Sequence, residues 1–129
     1  MSLVLASSGG RSPTPPMTVG VTVVATTDFS SNVCTLKMNP TSTAGEKQVT
    51  GQIITVTPGA ADDDLVLPPV GQCTGMVLYV VNSHASNNLE LKYAATAELV
   101  LAASDIANDE MATCVCDGTY WYAMVTTAT

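Results

Sequence analysis

A hairpin signature near the C-terminal end constrains the fold of this chain more than any other part of its sequence. Asp117 and Gly118 separate two uncharged runs of apolar and small polar residues, 111–116 and 119–125. An Asp-Gly pair favours a two-residue type I′ turn, because both central residues of that turn need a positive φ. The segment is therefore predicted to form two antiparallel strands joined by a tight turn.

The two sides of this hairpin predict what surrounds it. With a two-residue turn, Cys114 lies across from Trp121 and Ala112 across from Ala123, and these four residues share one side. We assign that side to the core of the domain. The opposite side is also uncharged, so we predict that it packs against a neighbouring chain. The residues expected at that interface are Val115, Tyr120, Tyr122 and Met124.

The remaining composition favours strands over helices. β-branched residues are frequent, and Gly, Pro and Asn recur between short apolar runs. Residues 75–82 are nearly all apolar, which predicts a strand buried on both faces and places Leu78 and Val80 in the core with Cys114 and Trp121. We predict an all-β fold, a compact antiparallel β-sandwich or small barrel (jelly-roll or tulip-like) of about eight or nine short strands.

The chain is predicted to divide into an extended N-terminal arm, residues 1–18, and a single β domain, residues 19–129. The arm has a Ser/Gly stretch followed by prolines, which favour an extended backbone. Two interpretations stay open: a disordered tail, or a strap that becomes ordered on a partner. The arm residues expected to bind that partner are Leu3, Val4, Leu5, Arg11, Pro13, Pro15 and Pro16.

The charge of the chain excludes several kinds of partner. Only 12% of the residues are charged, about half the usual share in soluble domains, which indicates that much of the surface is buried against other protein. The net charge is −7 and the four basic residues are spread widely. Nucleic acids and anionic membranes are bound by clustered Lys and Arg, so neither is an expected partner. The N-terminus lacks the basic start of a signal peptide, so we expect synthesis in a cytoplasm.

Three adjacent carboxylates, Asp62, Asp63 and Asp64, are the only candidates for a metal site. Two of them could share a Ca²⁺ in a loop, but the spacing of an EF-hand is missing. A solvated turn that leads into a strand at Leu65 is the favoured interpretation. No metal and no other cofactor is therefore predicted.

The cysteines and the histidine carry no zinc or catalytic signature. Cys114 and Cys116 are one residue apart, whereas zinc knuckles space their ligands by two to four residues. Their positions on one strand also disfavour a disulfide. We interpret them, with Cys34 and Cys73, as buried free thiols. His84 lies in a Ser/Asn turn without a nucleophile signature, and no enzymatic activity is expected.

The stretch from Leu65 to Met124 resembles β domains of tailed-bacteriophage virions, as found in capsid decoration proteins, head fibres and tail fibres. The matching features cover about half of the chain. They are Leu-Pro-Pro at 67–69, Gly75 before an apolar strand, Val81-Asn82 before a Ser/Asn turn, Ser104-Asp105, and the run 117–122.

This resemblance implies a structural virion protein. It would be a capsid decoration (cement) protein, made in the host cytoplasm, that binds the major capsid protein on the outer capsid surface as a homotrimer and stabilises the assembled head. Two alternatives stay open. One is a head-fibre or tail-fibre tip that binds a host surface ligand through Tyr79, Tyr93 or Tyr120, and the other is a small β-fold carbohydrate-binding module.

Overall fold

Eleven strands in two sheets make up this computed structural model, which describes residues 20–93, 97–98 and 105–126. The strands are β1 (Val21–Val24), β2 (Val33–Lys37), β3 (Glu46–Gln48), β4 (Ile53–Val56), β5 (Asp63–Leu67), β6 (Val77–Asn82), β7 (Leu89–Tyr93), β8 (Ala97–Glu98), β9 (Asp105–Ile106), β10 (Met111–Cys116) and β11 (Trp121–Thr126). Two single turns of 3₁₀ helix span Thr26–Asp28 and Val70–Gln72. The predicted all-β sandwich is confirmed.

The sheets are mixed, which corrects the prediction of antiparallel pairing. One sheet has the order β1-β4-β6-β10-β11, and the other has the order β3-β2-β5-β7-β8 with β9 also paired to β7. Five of the nine pairings between these strands are parallel. The chain crosses from the five-stranded sheet to the six-stranded sheet and back, so each returning strand runs in the same direction as the one before it. Strands β6, β10 and β11 then close the C-terminal half with antiparallel pairs.

Alternation along each strand builds one core between the two sheets. Leu36, Leu65 and Leu91 enter it from the six-stranded sheet and are fully buried. From the five-stranded sheet come the four residues assigned to the core above, Trp121, Cys114, Val80 and Leu78, and each is 0% exposed. The indole N–H of Trp121 donates to the carbonyl of Pro68 over 2.8 Å. This hydrogen bond matters because a buried indole without a partner would lose its bond to water.

The C-terminal hairpin has a wider turn than the Asp-Gly pair predicted. Cys116 pairs with Trp121, so the loop comprises residues 117–120. The Asp117 carboxylate accepts hydrogen bonds from the N–H groups of Thr119 and Tyr120, both at 2.8 Å, which stabilises the longer loop. These two bonds hold the pKa of Asp117 below its usual value, and the bond from the Tyr120 N–H has the larger effect. Compared with the register of a two-residue turn, the pairing of the two strands is shifted by two residues. Because side chains along a strand alternate with a period of two, each residue still lies on the predicted side of the hairpin.

Strand β6 is buried on one face within this chain, whereas the nearly all-apolar run 75–82 predicted burial on both faces. Leu78, Val80 and Asn82 point into the core and are buried. The alternate residues point outward and remain half-buried: Val77, Tyr79 and Val81. The apolar run therefore supplies an outward surface as well as core.

Candidate functional site

The outward side of the five-stranded sheet carries no charged residue in any of its described strands. The register aligns one residue from each strand in a row across the whole sheet: Val21, Ile53, Tyr79, Thr113 and Met124. A second row follows next to it: Val23, Thr55, Val81, Met111 and Thr126. A shorter third row joins Val77, Val115 and Tyr122. We call these three rows the uncharged face.

Large apolar side chains on this face are open to solvent in the single chain. Val23 is 60% exposed and Met124 is 71% exposed, at opposite edges of the sheet. Five strands spaced about 4.8 Å apart, each rising about 3.3 Å per residue, give a face of roughly 20 by 20 Å. Contiguous exposed apolar patches of this size mark interaction sites on soluble proteins. The uncharged face is therefore the strongest candidate functional site in the described part of the chain.

The outward side of the six-stranded sheet has the opposite character. The ammonium group of Lys92 lies 3.4 Å from the carboxylate of Asp64 and 3.7 Å from that of Glu90. Partial burial, and then the nearby Asp105 carboxylate, raise the pKa of Glu90. Lys37 and Glu46 form a further ion pair at 3.7 Å. These charges indicate a solvent-facing surface, so the two outward sides of the sandwich differ in what they can bind.

The residues predicted at a chain interface lie on this face or at its rim. Val115, Tyr122 and Met124 belong to the rows of the uncharged face. Tyr120 lies in the adjoining loop, where its ring meets that of Tyr122 edge-to-face with centroids 6.4 Å apart. The hydroxyl of Tyr122 donates to Asp117 over 3.0 Å, which raises the pKa of this tyrosine.

The other half of the face was missed by sequence reasoning. Val21, Val23 and Ile53 lie on β1 and β4, far from the hairpin in the chain. The alternation of valines in β1 was a visible signal of a strand, but the sequence did not reveal that β1 and β4 extend the sheet of the hairpin. The predicted arm residues, positions 3–16, lie outside the described residues.

The tyrosines considered for a fibre tip do not share a site. Tyr79 lies at the centre of the uncharged face, Tyr120 at its rim, and Tyr93 at the end of β7 in the other sheet. Tyr93 lines a separate groove with a volume of about 490 Å³. The remaining lining comes from Thr35, Lys37, Glu46 and residues 66–71.

Asp63 is buried rather than part of a solvated turn, which corrects the favoured interpretation of the three carboxylates. Its side chain is 1% exposed and accepts hydrogen bonds from the Asn32 amide at 2.7 Å and from the N–H groups of Gly59 and Ala60. Asp64 instead faces Lys92 on the outward side of the sheet. Three neighbouring carboxylates thus point in different directions. Within the described ranges, no three His, Cys, Asp or Glu side chains converge on a possible metal position.

His84 organises a turn. Its Nδ1 accepts hydrogen bonds from the N–H groups of Ser86 and Asn87, both at 2.9 Å. The buried Asn82 accepts from the His84 N–H and donates to the carbonyls of Asn87 and Ile106. These bonds tie the β6–β7 turn to β9, which gives His84 a structural role.

All four cysteines are buried free thiols. Burial raises the pKa of Cys34, Cys73 and Cys114 to about 12. Since the thiolate is the reactive form, these side chains behave as small apolar groups in the folded protein.

We expect these three thiols to resist alkylation by iodoacetamide at pH 8 in the folded protein. A pKa of about 12 leaves about one thiolate in ten thousand at that pH. Peptide mapping by mass spectrometry should find Cys34, Cys73 and Cys114 unmodified, and modified within minutes once denaturant is added. Rapid modification of Cys114 in the folded protein would contradict its placement.

No family model, curated protein or solved structure matches this chain. Across the part of the chain that the structure describes, no helix is long and apolar enough to cross a membrane.

Proposed function

We propose that this protein is a structural component of a tailed-bacteriophage virion, a capsid decoration protein that assembles as a homotrimer on the outer capsid surface. The uncharged face is the observation that carries this proposal. Trimer formation would bury it, with the row through Tyr79 at the centre of the contact. The role is stabilisation of the assembled head by mass action, since a protein that binds only the assembled shell favours it.

The distribution of charge supports an assembly role. All three lysines in the described residues form ion pairs, and none of them lies on the strands of the uncharged face. The Lys47–Asp28 pair, at 3.5 Å, lies in the groove beside its β1 edge. A surface that stays in water usually carries charge, as the six-stranded sheet does. The selective lack of charge on one sheet is therefore best explained by a protein partner that covers it.

The N-terminal arm supplies the proposed contact with the major capsid protein. Strand addition by an extended segment gives affinity through backbone hydrogen bonds, and its alternate side chains give specificity. The whole chain is acidic, with a net charge of −7, which suits the outside of a shell rather than its nucleic-acid lining.

The test is the mass of the protein in solution, measured by sedimentation for the wild type and for Tyr79→Lys. We expect a trimer for the wild type. A lysine at the centre of a buried contact places an unpaired charge there, at a cost of about 3–5 kcal/mol. In dilute solution, where the wild type is still a trimer, the variant should therefore be a folded monomer. Thr35→Lys makes the same charge change on the outward side of the six-stranded sheet, and it should remain a trimer.

The same proteins are then mixed with phage heads that lack the decoration protein. The wild type and Thr35→Lys should co-sediment with heads, whereas a chain lacking residues 2–16 should not. A wild type that is monomeric at every concentration, or a trimeric Tyr79→Lys variant, would refute the role of the uncharged face. Undiminished head binding after removal of residues 2–16 would refute the role of the arm.

A carbohydrate-binding tip is the second candidate, and the groove beside Tyr93 is the observation that favours it. An aromatic ring next to the Lys37–Glu46 pair offers a stacking surface and polar groups for a sugar ring. Binding of the wild type to a glycan array, lost in Tyr93→Ala and retained in Tyr79→Lys, would replace the decoration proposal.

A further inference from the structure

Strand β1 has an edge with unpaired backbone groups. Among the described strands it is the end strand of its sheet, and β4 is its one partner. The carbonyls of Gly20 and Val24 accept hydrogen bonds from β4 and the residue that follows it. Because successive residues of a strand point to opposite sides in the plane of the sheet, Val21 and Val23 direct their N–H and C=O groups away from β4. None of the described residues pairs with these groups.

A groove with a volume of about 670 Å³ runs along this edge. Val21 and Val23 form one wall, and Thr41, Thr43 and Gln48 contribute to the other. The second wall includes β3, the end strand of the six-stranded sheet, so both sheets expose an end strand here. An extended segment laid in this groove would meet the unpaired groups of β1 directly.

Strand β1 is fixed in position by hydrogen bonds, and its edge lacks the features that usually prevent another strand from pairing with it. The Thr22 side chain is 2% exposed, and its hydroxyl accepts hydrogen bonds from the N–H groups of Thr50 and Gly51 and donates to the Gly51 carbonyl. Proteins commonly block edge strands with Lys, Pro or a bulge. Strand β1 reads Val-Thr-Val-Val and has no Lys or Pro. It is therefore a rigid template for another strand.

We propose that this edge accepts residues 3–6, Leu-Val-Leu-Ala, from a second copy of this chain as an added strand. Nineteen residues precede Gly20, so the candidate segment is attached at this end of the sheet. Residues 3–6 offer consecutive amide hydrogens and β-compatible side chains. Pro13, Pro15 and Pro16 have no amide hydrogen, so the stretch nearest to β1 in the chain cannot serve as its partner strand.

Charge permits the N-terminal segment to approach the acidic body, and backbone preference favours a second copy as its donor. Residues 1–19 contain Arg11 and no acidic residue, whereas the rest of the chain contains all eleven acidic residues. The groove is lined by Asp28 and Glu46 together with Lys47, which is paired with Asp28. The prolines between the segment and β1 favour an extended backbone over the reversal that pairing within one chain would need. The contact uses the backbone edge of β1, where Val21 and Val23 form the border of the uncharged face. It occupies Leu3, Val4 and Leu5, so the capsid contact proposed above is then made by the side chains of Arg11 and the prolines rather than by strand addition.

The test is residue-resolved amide hydrogen exchange on the full-length Tyr79→Lys variant, in which the uncharged face does not associate. At high concentration, Val21 and Val23 should exchange slowly. A dilution of about a hundredfold should accelerate their exchange at least tenfold, because the partner strand comes from another molecule. Thr22 and Val24 point toward β4 and should not change.

Proline substitutions in the full-length chain identify the donor segment. Successive amides of a strand point in opposite directions, so either residue 4 or residue 5 directs its N–H toward β1. Proline has no N–H, so at least one of the variants Val4→Pro and Leu5→Pro should abolish the protection of Val21 and Val23. Thr14→Pro, which lies outside the segment, is the matched control and should retain the protection.

Three results would overturn the proposal. Rapid exchange of Val21 and Val23 at every concentration would mean that the edge stays empty. Slow exchange at every concentration would mean that the chain covers its own edge. Protection that survives both Val4→Pro and Leu5→Pro would exclude this segment as the donor. This proposal is tested by hydrogen exchange at two amides of β1, whereas trimer formation is tested by the mass in solution. A failure of one proposal can therefore be distinguished from a failure of the other.

Discussion

Replacing Trp121 with alanine is expected to lower the free energy of unfolding by about 3–5 kcal/mol. The side chain is 0% exposed and is the largest residue in the core. Its neighbours across the hairpin are small, with Cys116 in direct register and Cys114 and Ala123 paired next to it. Small residues pack well around an indole but cannot expand to fill the space it leaves, so most of the cavity would remain.

Chemical denaturation of the wild type and two comparison variants separates the causes of this loss. Trp121→Phe keeps most of the volume but removes the donor to the Pro68 carbonyl, and it should lose about 1–2 kcal/mol. Met124→Ala changes a residue of the same strand that is 71% exposed, and it should lose less than about 0.5 kcal/mol in dilute protein. A Trp121→Ala loss below 1 kcal/mol would show that the indole is not in the core.

Replacing Asp63 with alanine is expected to lower the free energy of unfolding by about 3–4 kcal/mol, the second-largest loss of folding stability. The carboxylate holds three donors: the Asn32 side chain at 2.7 Å and the backbone N–H groups of Gly59 and Ala60 at 2.9 and 3.0 Å. Removing a buried acceptor leaves its donors without partners, and each costs about 1–3 kcal/mol. These donors come from the β4–β5 turn and the start of β2, so their loss should also loosen the turn.

The neighbouring carboxylate provides a matched control. Asp62 is exposed and has a φ of 62°, a conformation that asparagine also adopts without much strain. Asp62→Asn should therefore change the free energy of unfolding by less than about 0.5 kcal/mol, measured in the same denaturant titration. Equal losses for Asp62→Asn and Asp63→Ala would indicate a general effect of charge on the acidic chain and would contradict the specific role of Asp63.

Local sequence patterns predicted the strands well because each depends on near neighbours. Strand β7 spans Leu89–Tyr93, where the apolar Leu89 and Leu91 alternate with Glu90 and Lys92. The side of the sheet on which each hairpin residue lies was also predictable, although the turn was not. The Asp117 carboxylate favours a four-residue loop by binding two backbone N–H groups, and this shift of two residues preserves the alternation.

The candidate site was only half visible in the sequence. Tyr122 and Met124 could be identified from the sequence because they lie on an uncharged side of the hairpin, which predicts contact with another chain. Val21 and Ile53 can be recognised as part of the same surface only when the strand register places them in a row with Tyr79. Likewise, nothing in the run of three aspartates distinguishes Asp63 until the chain brings Asn32 to its carboxylate.

The sequence by itself determined that this chain is all-β, where the strand at 75–82 and the two hairpin strands lie, and which side of the hairpin belongs to the core. These properties follow from backbone preference and from the two-residue period of a strand, which act over a few residues. Only the tertiary structure decided that the chain crosses repeatedly between two sheets from β1 to β7, that parallel pairs result, and that one outward side is uncharged while the other carries ion pairs. Those properties depend on which distant strands pair, and pairing is selected by the packing of the whole core rather than by any single segment.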